Sequence, residues 1–346
     1  MTTTGPAPRH RAAVIGSPVA HSLSPVLHRA AYADLGLEGW EYAPRDVAPG
    51  ALAGVLAELA APCGPGPVWA GLSVTMPHKQ AMLPALDVVD PLAAAVGAAN
   101  TVVAQRSGTG PALLAGFNTD VAGVVGALRE TGGGTRWAEG ATALVLGSGA
   151  TACSALAALA ELGAARLIVA ARNHAGPRRA AAAARRMGLE IEAPVWRPDD
   201  PRSNRQVARA MAGAQVVVST VTAGAADVLA PALAEALDGA RPDAGAVLLD
   251  VVYDPWPTAL AAAWRAGGGA VAPGWLMLLH QAAPQVGLMT GRRPRLAPMR
   301  AALMAALDAR SRPAPGAPAP DAGARGSDAP GAGREPVGGS APCCDG

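Results

Sequence analysis

The sequence predicts an α/β protein with two domains, and three observations carry this prediction. Strand-like apolar runs alternate with Ala- and Leu-rich helical stretches along most of the chain, a pattern typical of parallel sheets with helical crossovers. The chain has 346 residues, more than one domain usually contains. A polar, Gly-rich segment at 131–140 separates two such stretches and has the composition of a hinge.

The first α/β stretch is expected to contain four strands and four helices. Ser24 precedes Pro25, which predicts a serine N-cap followed by proline at the first helical position. A helix that begins at Asp120 is expected to lead out of this stretch. We place the strands near 12–15, 41–45, 69–74 and 101–104, and the helices near 25–35, 49–60, 91–96 and 120–130.

The second α/β stretch runs from Ala141 to about Gly274. Two helical stretches near 275–289 and 297–309 follow, and packing back on the first domain is their simplest arrangement. From 311 to 346 the chain is rich in Pro, Ala, Gly and Ser and has almost no large apolar residues. Such a segment cannot bury enough apolar surface to order itself, so a disordered tail is predicted.

Composition argues against several classes of function. The net charge is only +2 and the arginines are scattered, so no nucleic-acid partner is expected. No apolar run reaches membrane-spanning length, and the N-terminus lacks the apolar stretch of a secretory signal. The four cysteines and six histidines lack disulfide or metal-ligand spacing. We therefore expect a cytoplasmic protein with no nucleic-acid partner, no membrane partner and no metal.

Lys79 is the only lysine among the 28 basic residues counted as lysine or arginine. Arginine stays protonated at ordinary pH, whereas a lysine amine is compact and its pKa falls on burial. A site that gives and takes a proton near neutrality can use lysine but not arginine. Lys79 is therefore a candidate catalytic group, with a chance surface lysine as the alternative.

A glycine-rich turn in the second stretch has the form of a nucleotide-binding site. An apolar strand leads into Gly147-Ser-Gly149-Ala-Thr-Ala152, and an Ala-rich helix follows. Gly147 permits the turn, Gly149 lets the backbone approach a pyrophosphate, and Ala152 allows close helix–strand packing. This order of elements predicts a Rossmann-like domain that binds a dinucleotide.

The end of the following strand indicates which dinucleotide is bound. A site that prefers NAD usually has an acid there to accept from the ribose 2′-hydroxyl. This chain has no acid there and has Arg172, which can pair with a 2′-phosphate, with Arg178 or Arg179 adding charge. NADP(H) is therefore the predicted cofactor, and a solvated strand-end cation is the alternative for Arg172.

Short polar clusters interrupt the apolar first stretch. Ser22 and Ser24 lie two apart, so both hydroxyls can hold a carboxylate or can cap the next helix. Thr75 and Lys79 follow the third predicted strand. Asn100 ends another polar cluster, and the run Asn-Thr-Asp at 118–120 suits both a helix start and a reactive site.

In order and spacing these clusters resemble the shikimate dehydrogenase family, and the resemblance covers about Ala12 to Ala309. Three departures stand out: Ser73 replaces a usual asparagine, Ala150 replaces a common glycine, and Arg172 lacks its usual neighbours. The matching segments are 22–24, 73–79, 98–101, 118–120, 171–173, 253–258 and 274–281.

The resemblance implies an NADP-dependent oxidoreductase that reduces 3-dehydroshikimate to shikimate in aromatic amino acid (chorismate) biosynthesis. Lys79 and Asp120 would be the catalytic pair, and either could move the proton because coupled groups titrate together. The implied substrate contacts are Ser22, Ser24, Thr75, Lys79, Asn100, Asp120, Tyr253 and Gln281. The implied cofactor contacts are Gly147, Ser148, Gly149, Ala150, Thr151, Ala152, Ala171, Arg172, Asn173, Thr220, Val251, Gly274 and Met277.

The same resemblance implies a division of the chain. Residues 10–120 plus 280–310 would form the substrate-binding and catalytic domain, and 121–279 the NADP-binding domain. The oligomeric state is open, with a homodimer as one expectation. We expect structural roles for the histidines at positions 21, 28, 78 and 280.

Three alternative functions remain open from the sequence. One is a quinate/shikimate dehydrogenase with relaxed cofactor use. The second is a catalytically silent paralogue that binds NADP or shikimate, although it would not need both Lys79 and Asp120. The third is an amino-acid or folate dehydrogenase of similar architecture, which would not need the pair Ser22 and Ser24.

Overall fold

The computed structural model describes residues 9–133, 137–239, 242–243 and 245–311, and it has the predicted α/β fold class. The predicted disordered tail lies outside the described residues except for Ser311, as does part of the predicted hinge. Among the described helices, none has the length and apolar character needed to cross a bilayer.

The first sheet has six strands in the order β2-β1-β3-β5-β6-β4. Strand β1 pairs in parallel with β2 and β3, whereas β5 runs antiparallel to both β3 and β6. The sheet is therefore mixed, and β4 and β6 were not predicted. The strands are β1 His10–Gly16, β2 Trp40–Asp46, β3 Val68–Val74, β4 Val88–Val89, β5 Thr101–Gln105 and β6 Leu113–Phe117.

The helices of this half lie close to their predicted positions, but the predicted cap of the first one is wrong. Ser24 is the first helical residue of α1, Leu23 occupies the N-cap, and no side chain caps the helix. The Ser24 backbone N–H instead donates to Ser22 Oγ at 3.3 Å. The helices are α1 Ser24–Asp34, α2 Leu52–Ala60, α3 Pro91–Val96 and α4 Asp120–Gly132.

The second sheet has five parallel strands in the order β11-β10-β9-β7-β8. Side chains alternate along β7, so Ala143 and Val145 join the core on one face, and Leu144 and Leu146 join the core on the other. The strands are β7 Thr142–Leu146, β8 Arg166–Ala170, β9 Val216–Ser219, β10 Val247–Asp250 and β11 Ala270–Pro273.

Helices cover both faces of this second sheet and then return towards the first. Helix α10 packs on α4 and also contacts β3 and β5, while α11 packs on α1. Leu279 and Val286 of α10 share a core with Val14 of β1 and Leu27 of α1. The helices are α5 Ala150–Glu161, α6 Ala180–Arg186, α7 Pro201–Ala212, α8 Ala230–Gly239, α9 Ala259–Ala266, α10 Gly274–Thr290 and α11 Leu296–Ser311.

Candidate active site

A cavity of about 270 Å³ lies where the carboxyl ends of strands from the two sheets meet. Val74 and Thr75 reach it from the end of β3, Val251 from the end of β10, and Gly274 from the end of β11. Open α/β sheets commonly bind ligands at the carboxyl ends of their strands. All eight predicted substrate contacts line it: Ser22, Ser24, Thr75, Lys79, Asn100, Asp120, Tyr253 and Gln281.

Lys79 and Asp120 form an ion pair in this cavity. Lys79 Nζ lies 2.6 Å from Asp120 Oδ2, and their side chains are 14% and 4% exposed. Asp120 is the first residue of α4, where the positive end of the helix dipole favours a carboxylate. An amine in this setting can donate a proton to a bound ligand and keep a fixed counter-charge.

Asn100 orients Asp120 from the other side. Its Nδ2 donates to Asp120 Oδ1 at 2.8 Å, and also lies 2.9 Å from Thr119 Oγ1 and 3.2 Å from Gln281 Oε1. Its Oδ1 accepts from the Thr119 backbone N–H at 2.8 Å, which fixes the orientation of the amide. One oxygen of the carboxylate therefore binds Asn100, and the other binds Lys79.

The sequence did not identify Gln285, which lines the cavity together with Ser73. Gln285 Nε2 donates to Asn100 O at 3.1 Å and to Thr101 Oγ1 at 3.0 Å. Ser73 Oγ accepts from Tyr42 OH at 2.6 Å and donates to Gln285 Oε1 at 2.8 Å. Gln285 lies four residues after Gln281 on α10, and that helical spacing was a signal in the sequence.

His28 lies beside Gln285, and its imidazole is neutral at ordinary pH. Its Nε2 lies 3.3 Å from Gln285 Oε1, and its ring stacks on Tyr42 with centroids 3.9 Å apart. Complete burial lowers the pKa of His28 to about 3, although the Gln285 hydrogen bond opposes this. This burial and packing are consistent with the structural role expected for His28.

The other predicted structural histidines occupy different surroundings. His78 is buried, and its Nε2 lies 2.6 Å from Val47 O. His280 is on α10, and its Nε2 lies 3.0 Å from Oε2 of Glu130 on α4. His21 lines the cavity rim, and its carbonyl accepts from both terminal nitrogens of Arg310 at 3.1 Å.

Tyr253 lines the cavity together with the serine pair. Burial raises the pKa of Tyr253, against the opposing charge of Arg310, so its hydroxyl is protonated at neutral pH and can donate. The loop that carries it is anchored where Thr258 Oγ1 donates to Asp250 Oδ2 at 2.7 Å. Burial also raises the pKa of the Asp250 carboxyl, whereas the hydrogen bond from Thr258 lowers this pKa by a smaller amount.

The glycine turn of the second sheet combines a positive-φ residue with open space at a helix N-terminus. Gly147 has φ of 109°, and a Cβ there would lie 2.5 Å from Thr220 Oγ1. Gly149 is the N-cap of α5, and a Cβ there would have no heavy-atom contact within 4 Å among the described residues. Gly147 is thus required by backbone geometry, whereas Gly149 opens onto free space at a helix N-terminus.

A second cleft of about 300 Å³ joins this turn to the cavity. Thr75, Lys79 and Thr151 line both spaces, so a molecule lying along the turn would reach the Lys79 amine. Met277 of α10 also lines the cavity, and Ala152 is fully buried under the turn. The second cleft is lined by Thr75, Met76, Pro77, Lys79, Gln80, Gly149, Ala150, Thr151 and Thr220.

The loop after β8 contains the residues predicted to bind the ribose phosphate. Ala171 is buried, whereas Arg172 and Asn173 are exposed. Ser148 Oγ donates to Asn173 O at 2.7 Å, which joins this loop to the glycine turn. Asn173 Oδ1 accepts from the Ala175 backbone N–H at 2.8 Å and shapes the bend. The exposed Arg172 thus lies on a loop joined to the glycine turn, where its charge suits an added phosphate.

The fold and this site define a dinucleotide-dependent dehydrogenase with two sheets and a cleft between them. Residues 14–102 match the model of the shikimate dehydrogenase substrate binding domain, and residues 274–304 match that of the shikimate 5′-dehydrogenase C-terminal domain. The shikimate dehydrogenase (NADP(+)) of Moorella thermoacetica is 38% identical over 304 residues, covering 86% of this chain and 94% of that protein. The enzyme of the same name from Citrifermentans bemidjiense is 40% identical, covering 89% of this chain and 98% of that protein.

Solved structures agree with these relatives. Shikimate dehydrogenase of Mycobacterium tuberculosis has a TM-score of 0.68 at 40% identity, covering 86% of this chain and 99% of that one. The Thermus thermophilus enzyme, solved in complex with NADP(H) and shikimate, has a TM-score of 0.67 at 34% identity with the same coverage of both chains. The chain belongs to the shikimate dehydrogenase family.

Proposed function

We propose that this chain catalyses the reversible, NADPH-dependent reduction of 3-dehydroshikimate to shikimate. The single observation that carries the proposal is the Lys79–Asp120 ion pair in a cavity that also opens to the glycine turn. Family membership supports the substrate and the cofactor, because the relatives are named for both. The reaction belongs to aromatic amino acid biosynthesis.

The substrate carboxylate is held by the hydroxyls of Ser22, Ser24 and Tyr253. The protonated phenol of Tyr253 donates a hydrogen bond, and the serines add two neutral donors. Thr75 and Gln281 contact ring hydroxyls. A substrate that lacks one of these groups leaves a polar side chain in the cavity unpaired, and the site rejects it for that reason.

Lys79 supplies the proton of the reaction. NADPH, when bound along the glycine turn, supplies a hydride to the ketone carbon. As negative charge develops on the ketone oxygen, Lys79 Nζ transfers a proton to it, and the amine recovers that proton from solvent. Asp120 and Asn100 hold the amine in place through the contacts at 2.6 and 2.8 Å. A positioned proton donor of this kind is worth roughly 10²–10⁴-fold in rate.

The main proposed cofactor contacts lie in the glycine turn at 147–152 and in the loop at 172–179 after β8, which we call the phosphate-reading loop. Gly147 and Gly149 admit the pyrophosphate to the N-terminus of α5, and Arg172 pairs with the 2′-phosphate. Ser148, Ala150, Thr151, Ala152, Ala171, Asn173, Thr220, Val251, Gly274 and Met277 complete this proposed set.

We extend this proposal to the domains, the cellular compartment and the assembly of the protein. Residues 10–120 plus 280–310 act as the substrate-binding domain, and 121–279 act as the NADP-binding domain. The enzyme works in the cytoplasm, and a homodimer is its proposed assembly.

The proposal is tested by following NADPH oxidation with 3-dehydroshikimate and, separately, with 3-dehydroquinate. We expect turnover with the first substrate to exceed turnover with the second, and NADPH to be preferred to NADH. Equal use of both substrates and both cofactors would support a quinate/shikimate dehydrogenase with relaxed cofactor use. Cofactor binding without turnover would support the silent paralogue.

A further inference from the structure

Two side chains connect the loop at 172–179 to the backbone around Lys79. This loop follows β8 and carries Arg172, the proposed reader of the 2′-phosphate. Gln80 lies in the first half of the chain, and Arg186 is the last residue of α6 in the second half. The proposed reaction gives neither residue a role, yet each one bridges the two halves.

Gln80 forms the first bridge. Its Nε2 donates to Arg178 O, within the phosphate-reading loop, at 2.8 Å. Gln80 follows Lys79 directly in the chain. A displacement of the loop at 172–179 would therefore displace Gln80, the residue next to the proposed proton donor.

Arg186 forms the second bridge through a three-way contact. Its Nε donates to Ala95 O at 3.0 Å and its Nη2 donates to Val96 O at 2.9 Å. These carbonyls belong to the last turn of α3, where they lack helical partners and where the dipole favours a cation. The third nitrogen, Nη1, lies 3.3 Å from Pro177 O in the phosphate-reading loop.

The end of α3 connects this second bridge to Lys79. Gly97 ends the helix with φ of 75°, and a Cβ there would collide with the Arg186 guanidinium. Two residues later the Ala99 backbone N–H donates to Lys79 O at 2.8 Å. Asn100, which orients the catalytic carboxylate, comes next. The two bridges thus run from one loop and converge on Lys79.

We propose that Gln80 and Arg186 are positioning residues that make the placement of Lys79 depend on the 2′-phosphate. A phosphate bound at Arg172 orders the loop, and the two bridges carry that order to Lys79 and to Asn100. The 2′-phosphate then raises kcat in addition to tightening cofactor binding. A small displacement of a proton donor costs a large factor in rate, which is why so indirect a contact matters. This inference rests on the proposed function.

Four variants separate this role from a merely structural one. Gln80→Leu and Arg186→Met remove the donors while keeping side-chain size. Arg186→Lys keeps the charge at the end of α3 but loses the three-way fork. Arg185→Met is the matched control, because Arg185 is the exposed neighbour on the same helix and the same charge is removed.

The measurement is kcat and KM with NADPH and with NADH at saturating 3-dehydroshikimate. With NADPH we expect kcat to fall by about tenfold in Gln80→Leu and in Arg186→Met. With NADH we expect little change, so the ratio of the two kcat values moves towards one. Arg186→Lys should be intermediate and Arg185→Met should match the wild type. Folded variants in which the ratio stays at the wild-type value would overturn the proposal.

A second readout does not depend on turnover. The Ala99 amide reports on the bridge directly, because it is bonded to Lys79 O. We expect NADP⁺ to slow hydrogen exchange in a peptide spanning 97–101 more than NAD⁺ does, in the wild type and in Arg185→Met but not in Arg186→Met. Equal slowing by both nucleotides in the wild type, or undiminished slowing in Arg186→Met, would overturn the proposal. A wild type that shows the difference but does not reduce 3-dehydroshikimate would overturn the proposed function alone.

Discussion

Asn100 Nδ2 donates to Asp120 Oδ1 at 2.8 Å, and this contact leaves the other carboxylate oxygen to Lys79. The Thr119 backbone N–H donates to the Asn100 side-chain oxygen, and Gln285 Nε2 donates to the Asn100 backbone carbonyl. Both the side chain and the backbone of Asn100 are therefore fixed. Groups fixed in this way need little reorganisation when a reaction begins. Asn100 is therefore a positioning residue of the proposed site.

Replacing this amide should reduce turnover with little loss of cofactor binding. In Asn100→Ala the Asp120 carboxylate loses its second anchor, and we expect kcat to fall by about 10²-fold because Lys79 becomes misplaced. The KM for NADPH should change little. Steady-state kinetics check this, with thermal unfolding as the control for folding. A variant that folds and retains wild-type kcat would show that Asp120 needs no second anchor.

The two glycines of the turn should respond differently to the same substitution. Gly147→Ala forces a residue with a Cβ into φ of 109° and against Thr220 Oγ1, at a cost on the order of 1–3 kcal/mol of stability. Gly149→Ala meets no neighbour in the described structure, so it should keep stability and raise the KM for NADPH by filling the pyrophosphate path. Urea unfolding and cofactor kinetics on both variants check this contrast. Equal loss of stability in the two would contradict it.

Replacing Arg172 should weaken the binding of NADPH and leave the binding of the substrate unchanged. We expect Arg172→Ala to raise the KM for NADPH about tenfold or more, because a charge-assisted contact to a phosphate is lost. The KM values for NADH and for 3-dehydroshikimate should stay near the wild type. Arg185→Ala, an exposed charge change on the adjoining helix, is the control. An unchanged KM for NADPH would mean that another group reads the 2′-phosphate.

His28 should make stability depend on pH. Its pKa is about 3 in the folded protein and about 6.5 when unfolded, so the unfolded state binds the extra proton between these values. The free energy of unfolding therefore decreases as pH falls from about 6.5 towards 3, with this residue contributing about 1.4 kcal/mol per pH unit. In His28→Phe, which keeps a ring on Tyr42, the slope should be shallower. Urea unfolding at several pH values measures it, and an identical slope in the variant would contradict the assignment.

The sequence predicted the location of the site better than the contacts behind it. Lys79 was found because it is the only lysine of the chain, and Asp120 and the serine pair were found because they lie in short polar clusters whose order and spacing resemble those of a known family. Gln285 was missed because its partners, Ser73 and Thr101, are distant in the chain and belong to two strands. The helical spacing of Gln281 and Gln285 puts both on one face of α10, but it does not show which strands that face contacts.

The differences in the fold have similar physical causes. Strand β4 has only two residues, too few for a pattern of alternation to appear. Ser24 was expected to cap α1, and instead it is the first helical residue, with its backbone N–H bound to the Ser22 hydroxyl. The bridges of Gln80 and Arg186 end on carbonyl oxygens, which every residue has and no sequence pattern marks.

The central claim is that the Lys79 amine transfers a proton, and Lys79→Arg tests it most directly. Arginine can keep the positive charge and the pairing with Asp120, but it stays protonated at any working pH. We predict that Lys79→Arg folds, binds NADPH with nearly wild-type affinity, and loses kcat for 3-dehydroshikimate by roughly 10²-fold or more, and we expect the same loss in Lys79→Met. A Lys79→Arg enzyme with kcat close to that of the wild type would contradict the claim, because charge alone would then suffice.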